Sequence, residues 1–274
     1  MSEVAKLEHG DFVWDELTST DAAKAASFYC GLLGWKTEEM PMGEMGTYTL
    51  CMNEGGMIGG IMGMPPMVPE GTPSHWGSYI YVDNAEEAFA KATSLGATPI
   101  VPPSPIPNVG TFAMMQDTAG AMFSVLGPNE EVPAQEDGKL RDTSLPSAFA
   151  WHEMMTPDAA KTREFYTALF GWDVIEMPTE TPDGKTFTYY IFTNRGKHTG
   201  GIVQMNEEEQ KMGIPPHWGR YIRVENADKA IAKAEELGGS KCHDAFDIPT
   251  WGRIGLLNDP TGATFGVFQG FDGH

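Results

Sequence analysis

FVWDELTSTDAAKAASFYCGLLGW, residues 12–35, returns 137 positions later as FAWHEMMTPDAAKTREFYTALFGW, residues 149–172, with 12 of 24 positions identical and no gap. A repeat on that scale decides the architecture before any single element is read. HWGSYIYVDNAEEAFAKATSLGA (75–97) matches HWGRYIRVENADKAIAKAEELGG (217–239) at 14 of 23 positions, and DTAGAMFSV (117–125) matches DPTGATFGV (259–267). The three blocks keep their order while the offset drifts from 137 to 142, so the chain is a tandem duplication with small loop insertions.

Between the copies, GPNEEVPAQEDGKLRDTSLPS (127–147) is rich in Pro, Gly and charge, as an exposed connector should be. The expected organisation is one domain over 8–127, a linker over 128–147 and a second domain over 148–271. A second proline-rich stretch, residues 99–107, reads as a long surface loop. Within each copy the opening segment alternates like a strand. Ser19, Thr20 or Asp21 then caps a helix whose apolar stripe is Ala25, Phe28, Tyr29, Leu32 and Leu33. In the second copy Thr156 followed by Pro157 reads as the cap. Gly34 and Gly171 stop these helices. Residues 79–82 open a second strand and 85–95 a second helix, with β-rich sequence after it. Each copy is therefore two strand–helix–strand units, which predicts the α+β class with curved mixed sheets and helices outside.

Composition excludes several functions. Eighteen Lys and Arg against 38 Asp and Glu give a net charge of −20, which repels nucleic acid and anionic membrane surfaces. No run approaches the roughly 18 apolar residues of a membrane span, and the start has no signal-peptide core, so a cytoplasmic location is expected. Three cysteines at unrelated spacings predict neither a disulfide framework nor a zinc knuckle.

The blocks WDELTSTDAAKAASFYCGLLGW, YIYVDNAEEAFAKATSLGA and NDPTGATFGVFQ, with their copies, resemble the vicinal oxygen chelate superfamily, which includes glyoxalase I, bleomycin-resistance proteins and extradiol dioxygenases. The resemblance covers nearly all of both halves. It implies that each half is a pair of βαβββ modules curled around a cavity, with metal ligands on each module's first and last strands. The positions it selects here are Trp14 and Trp151, Gly77 and Gly219, Ser124 and Gly266, and the glycine-rich runs at 58–62 and 199–203. None is a good ligand, so no cofactor is expected. A divalent ion (Zn, Ni, Fe or Mn) at displaced positions is the alternative.

Alternation along the strands then sets the inner wall implied by the resemblance. Phe12, Trp14 and Glu16 share a face, as do Phe149, Trp151 and Glu153; His75, Tyr79 and Tyr81 share another, matched by His217, Tyr221 and Arg223. Glu16 with His75, and Glu153 with His217, are the candidate catalytic acid–base or displaced metal pairs. The bland alternative has the glutamates satisfying buried amides. The aromatic residues and Ser124 are expected to contact a flat or amphipathic ligand, and Arg223 and Arg253 to hold an anionic group, ion pairing being their ordinary alternative. Two functions follow from the resemblance: a glyoxalase-like lyase or isomerase, or a metal-free protein that sequesters a small molecule. Either acts as a monomer or a homodimer.

Overall fold

The computed structural model describes residues 6–43, 46–130, 142–180, 184 and 186–271; most of the connector, 131–141, lies outside the described residues. The first half runs β1 (Phe12–Ser19), α1 (Ala22–Leu33), β2 (Lys36–Pro41), β3 (Thr47–Asn53), β4 (Gly56–Gly63), β5 (His75–Tyr81), α2 (Ala85–Ser94), β6 (Thr98–Ile106), β7 (Gly110–Gln116) and β8 (Met122–Gly127). The second runs β9 (Phe149–Thr156), α3 (Ala159–Phe170), β10 (Asp173–Glu180), β11 (Thr186–Asn194), β12 (Lys197–Gln204), α4 (Glu207–Lys211), β13 (His217–Arg223), α5 (Ala227–Glu236), β14 (Ser240–Lys241), β15 (Phe246–Ile248), β16 (Gly252–Asn258) and β17 (Thr264–Gly270).

Two open mixed sheets result. Their orders are β2-β3-β4-β1-β5-β8-β7-β6 and β10-β11-β12-β9-β13-β17-β16-β14, with β15 on β16. In each module the opening strand lies parallel to the last, as β1 does to β4 and β5 to β8, and the intervening strands are antiparallel. This is the βαβββ module, four times over, and the α+β class.

Helix boundaries follow local chemistry. Asp21 and Asp158 cap α1 and α3, accepting from the amides of Lys24 and Lys161, and Gly34 and Gly171 close them at φ 70° and 75°, where glycine carries no steric penalty. The cap of α3 is thus Asp158 and not Thr156. The Thr156 hydroxyl is buried against Thr162 at 2.8 Å, leaving the carboxylate two residues on to meet the first turn. The 99–107 segment is also corrected: it forms edge strand β6, paired to β7 with register shifts near Pro99 and Val101. Proline lacks a donor, but an edge strand bonds on one side only, which makes it the place in a sheet where prolines fit.

The chain packs as two compact units, and neither coincides with a sequence half. The first gathers described residues within Met1–Val13, Ser78–Leu140 and His152–Trp218; the second, those within Trp14–Gly77, Arg141–Trp151 and Gly219–His274. Each unit therefore packs a helix of one half against a helix of the other, α2 with α3 in the first and α1 with α5 in the second. Ile80, Phe123 and Val125 bury against Phe165, Tyr166 and Trp172 in the first, and Phe28, Tyr29 and Trp35 against Ile231, Phe265 and Val267 in the second. Complete burial of one such side chain is worth about 1.5–3 kcal/mol, so each core depends on both halves.

A buried polar chain ties each core. Trp218 Nε1 donates to Tyr166 Oη at 2.8 Å, and Tyr166 donates to Asp117 at 2.9 Å. In the second unit Trp76 donates to Tyr29 at 2.9 Å and Tyr29 to Asp259 at 3.2 Å. The helix Tyr of one half thus bonds the Asp-x-x-Gly turn of the other. Burial pushes both phenols well above the ordinary tyrosine range and raises Asp117, although that carboxylate also accepts from the amides of Ala119, Gly120 and Ala121.

Candidate functional site

Burial along β1 separates two faces: Asp15, Leu17 and Ser19 are buried, while Trp14, Glu16 and Thr18 are half-buried. Trp14 and Glu16 are brought together by Tyr48 of β3. The indole Nε1 donates to the Tyr48 hydroxyl at 2.7 Å, and that hydroxyl donates to Glu16 Oε2 at 2.8 Å. Glu16 stands in register with Gly60 of β4. A Cβ at Gly60 would collide with the Tyr48 hydroxyl, so glycine there creates the slot in which the phenol lies.

The first unit repeats the arrangement. Tyr189 donates to Glu153 at 2.9 Å, Glu153 stands in register with Gly201, and a Cβ at Gly201 would strike the Tyr189 hydroxyl. Sequence reasoning missed both tyrosines. Their signal was present as a tyrosine twelve residues ahead of the second glycine in each GGI, Tyr48 to Gly60 and Tyr189 to Gly201.

The other expected residues divide by unit. In the first, Tyr79 is 8% exposed, in register with Ser124, and its ring lies 6.4 Å from Phe112. Tyr81 is half-buried in the same strand, its phenol raised by burial and by Asp83. In the second unit Tyr221 lies across Gly266, its register partner, where a Cβ would meet the ring. Trp151 is half-buried. Arg223 donates Nε to the Thr143 carbonyl at 3.0 Å and lies over the Phe268 ring; burial lowers its pKa. Arg253 is held by Asp228 (2.8 and 3.0 Å) and Asp247 (2.8 Å), the ordinary ion pairing.

Phe12 and Phe149 part from the face expected for them. Phe12 stacks on His152 at 3.8 Å and packs against Trp172 and Trp218, and Phe149 packs against Trp35 and Trp76. The imidazoles of His75 and His217 meet carbonyls two residues back, Pro73 at 2.9 Å and Pro215 at 2.8 Å.

A buried ion pair also escaped the sequence reading. Arg220 (2% exposed) faces Asp15 (fully buried) at 3.8 Å, with its guanidinium 6.0 Å from the centre of the Trp76 ring. Burial pushes Arg220 down to about 10, against the pull of Asp15. The equivalent positions in the first unit hold Ser78 and His152, both buried.

The side chains do not fit the divalent ion that the fold implies. Trp14, Trp151, Gly60, Gly77, Gly201, Gly219 and Gly266 offer no side-chain donor for a metal, and Ser124 is a poor one. Among the described residues, no group of three or more His, Cys, Asp or Glu stands close enough to hold an ion, and no helix is long and apolar enough to cross a membrane.

Four βαβββ modules in tandem define a class, and the chain belongs to the Glyoxalase/Bleomycin resistance protein/Dioxygenase superfamily, whose model matches residues 12–125 and 148–267. Similar proteins include "Putative glyoxylase CFP32" of Mycobacterium tuberculosis, 30% identical over 98% of both chains. The anthracycline biosynthesis protein DnrV of Streptomyces peucetius is 27% identical over 99% of this chain and 97% of its own. Among solved structures, the Mn(II)-bound glyoxalase of Novosphingobium aromaticivorans superposes with a TM-score of 0.60 at 11% identity, covering 95% of this chain and 82% of that one, a likeness of fold.

Proposed function

We propose that this chain binds a flat aromatic small molecule, without a divalent metal, on the half-buried strand faces that carry Trp14, Tyr48 and Glu16 and, in the other unit, Tyr189 and Glu153. The chemistry is of lyase or isomerase type: a glutamate carboxylate removes a carbon-bound proton next to a carbonyl and returns it. The observation that carries this reading is the repeated carboxylate held by a phenol, with the Trp14 indole beside it in one copy. An indole or phenol face takes a planar ring at low entropic cost, and an oriented carboxylate is the simplest proton acceptor available without metal. DnrV, named for anthracycline biosynthesis, supports a fused-ring aromatic as the ligand class.

The test uses 1-hydroxyanthraquinone as binding probe and an enolisable aryl ketone in D2O as reactivity probe. Tryptophan fluorescence should quench saturably in chelator-treated protein, and Glu16→Gln with Glu153→Gln should abolish deuterium incorporation. Quenching that appears only after a divalent ion is added would sink the reading. A second reading, sequestration without turnover, is favoured by the histidines: both expected acid–base partners hold proline carbonyls through Nδ1. Saturable binding without deuterium exchange would decide for it.

A further inference from the structure

We propose that a tyrosine hydroxyl has taken over the role of the metal ion in each unit: Tyr48 and Tyr189 are positioning residues that fix Glu16 and Glu153 as hydrogen-bond-accepting carboxylates. This deepens the function proposed above and rests on it only for the use to which the carboxylates are put.

The argument starts from proton inventory. An indole Nε1–H is a donor and never an acceptor, whereas a phenol has one proton and an oxygen that accepts. Trp14 donates into the Tyr48 oxygen at 2.7 Å, so the single Tyr48 proton points elsewhere, and the oxygen 2.8 Å away is Glu16 Oε2. The chain Trp14 to Tyr48 to Glu16 therefore runs in one direction and ends on an acceptor. A carboxylate accepts such a bond more strongly as an anion, and successive donors in one direction polarise each other.

Position is the second line. Gly60 and Gly201 fall in the runs where the fold places a ligand, and each is the direct neighbour of a glutamate on the adjacent parallel strand. Any side chain there would displace the phenol, since even a Cβ collides with the hydroxyl in both copies. The same trade recurs at Gly266, another ligand position, which lies under the Tyr221 ring. Gly60 and Gly201 within those runs, and Gly266 at its own position, each make room for a tyrosine.

The test follows the Trp14 indole N–H signal of the full-length 15N-labelled chain, assigned with Trp14→Phe. Glu16→Gln should move that signal although residue 16 is not the indole's partner, because the change passes through the Tyr48 hydroxyl. In a Tyr48→Phe background the same Glu16→Gln change should leave it in place. An indole signal indifferent to Glu16→Gln, or equally displaced with and without the Tyr48 hydroxyl, would overturn the proposal. Gly60→Ala should reproduce the Tyr48→Phe displacement; if that variant fails to fold, the cycle of the other two decides alone. Mn(II) added alone should not broaden the signal. Stoichiometric broadening lost in Glu16→Ala would show an ion at the place assigned to the phenol and overturn it. Coupled signals in a protein that does not bind 1-hydroxyanthraquinone would sustain this inference while the ligand reading fails.

Discussion

Asp15 and Arg220 show what a buried charge demands of its surroundings. Both are buried, Arg220 Nε stands 3.8 Å from Asp15 Oδ1, and the guanidinium lies 6.0 Å from the centre of the Trp76 ring. Removing one partner leaves the other desolvated without its counter-charge, which costs about 3–5 kcal/mol. Arg220→Ala and Asp15→Ala should each lower the unfolding free energy measured in urea by that much, whereas Asp15→Leu combined with Arg220→Met should recover most of the loss. A double variant as unstable as the singles would remove the ion pair from the account. The pair was illegible in sequence, because Asp15 and Arg220 are 205 positions apart and Arg220, one of two arginines in HWGRYIR, reads as one more strand residue. Glu16 could be found by alternation. Its tyrosine partner was missed, since the phenol reaches it from another strand and the repeated twelve-residue spacing to a glycine gains its meaning from the register over Gly60.

Elements were far more legible than contacts. The helices at 22–33 and 159–170 start and stop where caps and glycines put them, because those rules are local. The failures were also local competitions: Thr156 lost the cap to Asp158 through its bond to Thr162, and the prolines of 99–107 found an edge instead of a loop. Asp21→Ala and Asp158→Ala should each cost about 1 kcal/mol in chemical denaturation, the usual loss for a helix cap. An Asp158→Ala variant as stable as the parent would return the cap to the threonine. What sequence could not say is where a helix docks. Tyr29 reads as a member of an apolar stripe, and only the fold shows that its hydroxyl, like that of its counterpart Tyr166, reaches a turn of the opposite half, at Asp259 and Asp117 respectively.

At the scale of the whole molecule, the exchange of modules makes stability a property of both halves together. A chain ending near residue 130 has α1 and α2 but neither helix partner, since α5 and α3 come from the second half. Expressed alone, each half should lack a cooperative melt as a monomer, and mixing the two should restore it. A separately folded monomeric half, seen by circular dichroism and sedimentation, would contradict the packing. Stability should also depend on mild acid. Burial holds His9 below its ordinary value of 6.5, outweighing the pull of Asp83. Below 6.5 the unfolded chain takes up a proton that the folded one refuses, so stability falls as pH drops from 6.5 towards the lowered value and is retained above it. His9→Gln should flatten that slope, and an unchanged slope would assign it to other groups.

The differing cores of the two units carry a consequence for the duplication. Two separate copies of a single half, assembled by the same exchange, would build both units from identical strands, and every buried substitution would appear twice. Fusion ends that constraint. One unit keeps an aspartate and an arginine while the other holds histidine and serine at the same places, so each interior is free to drift towards its own partner.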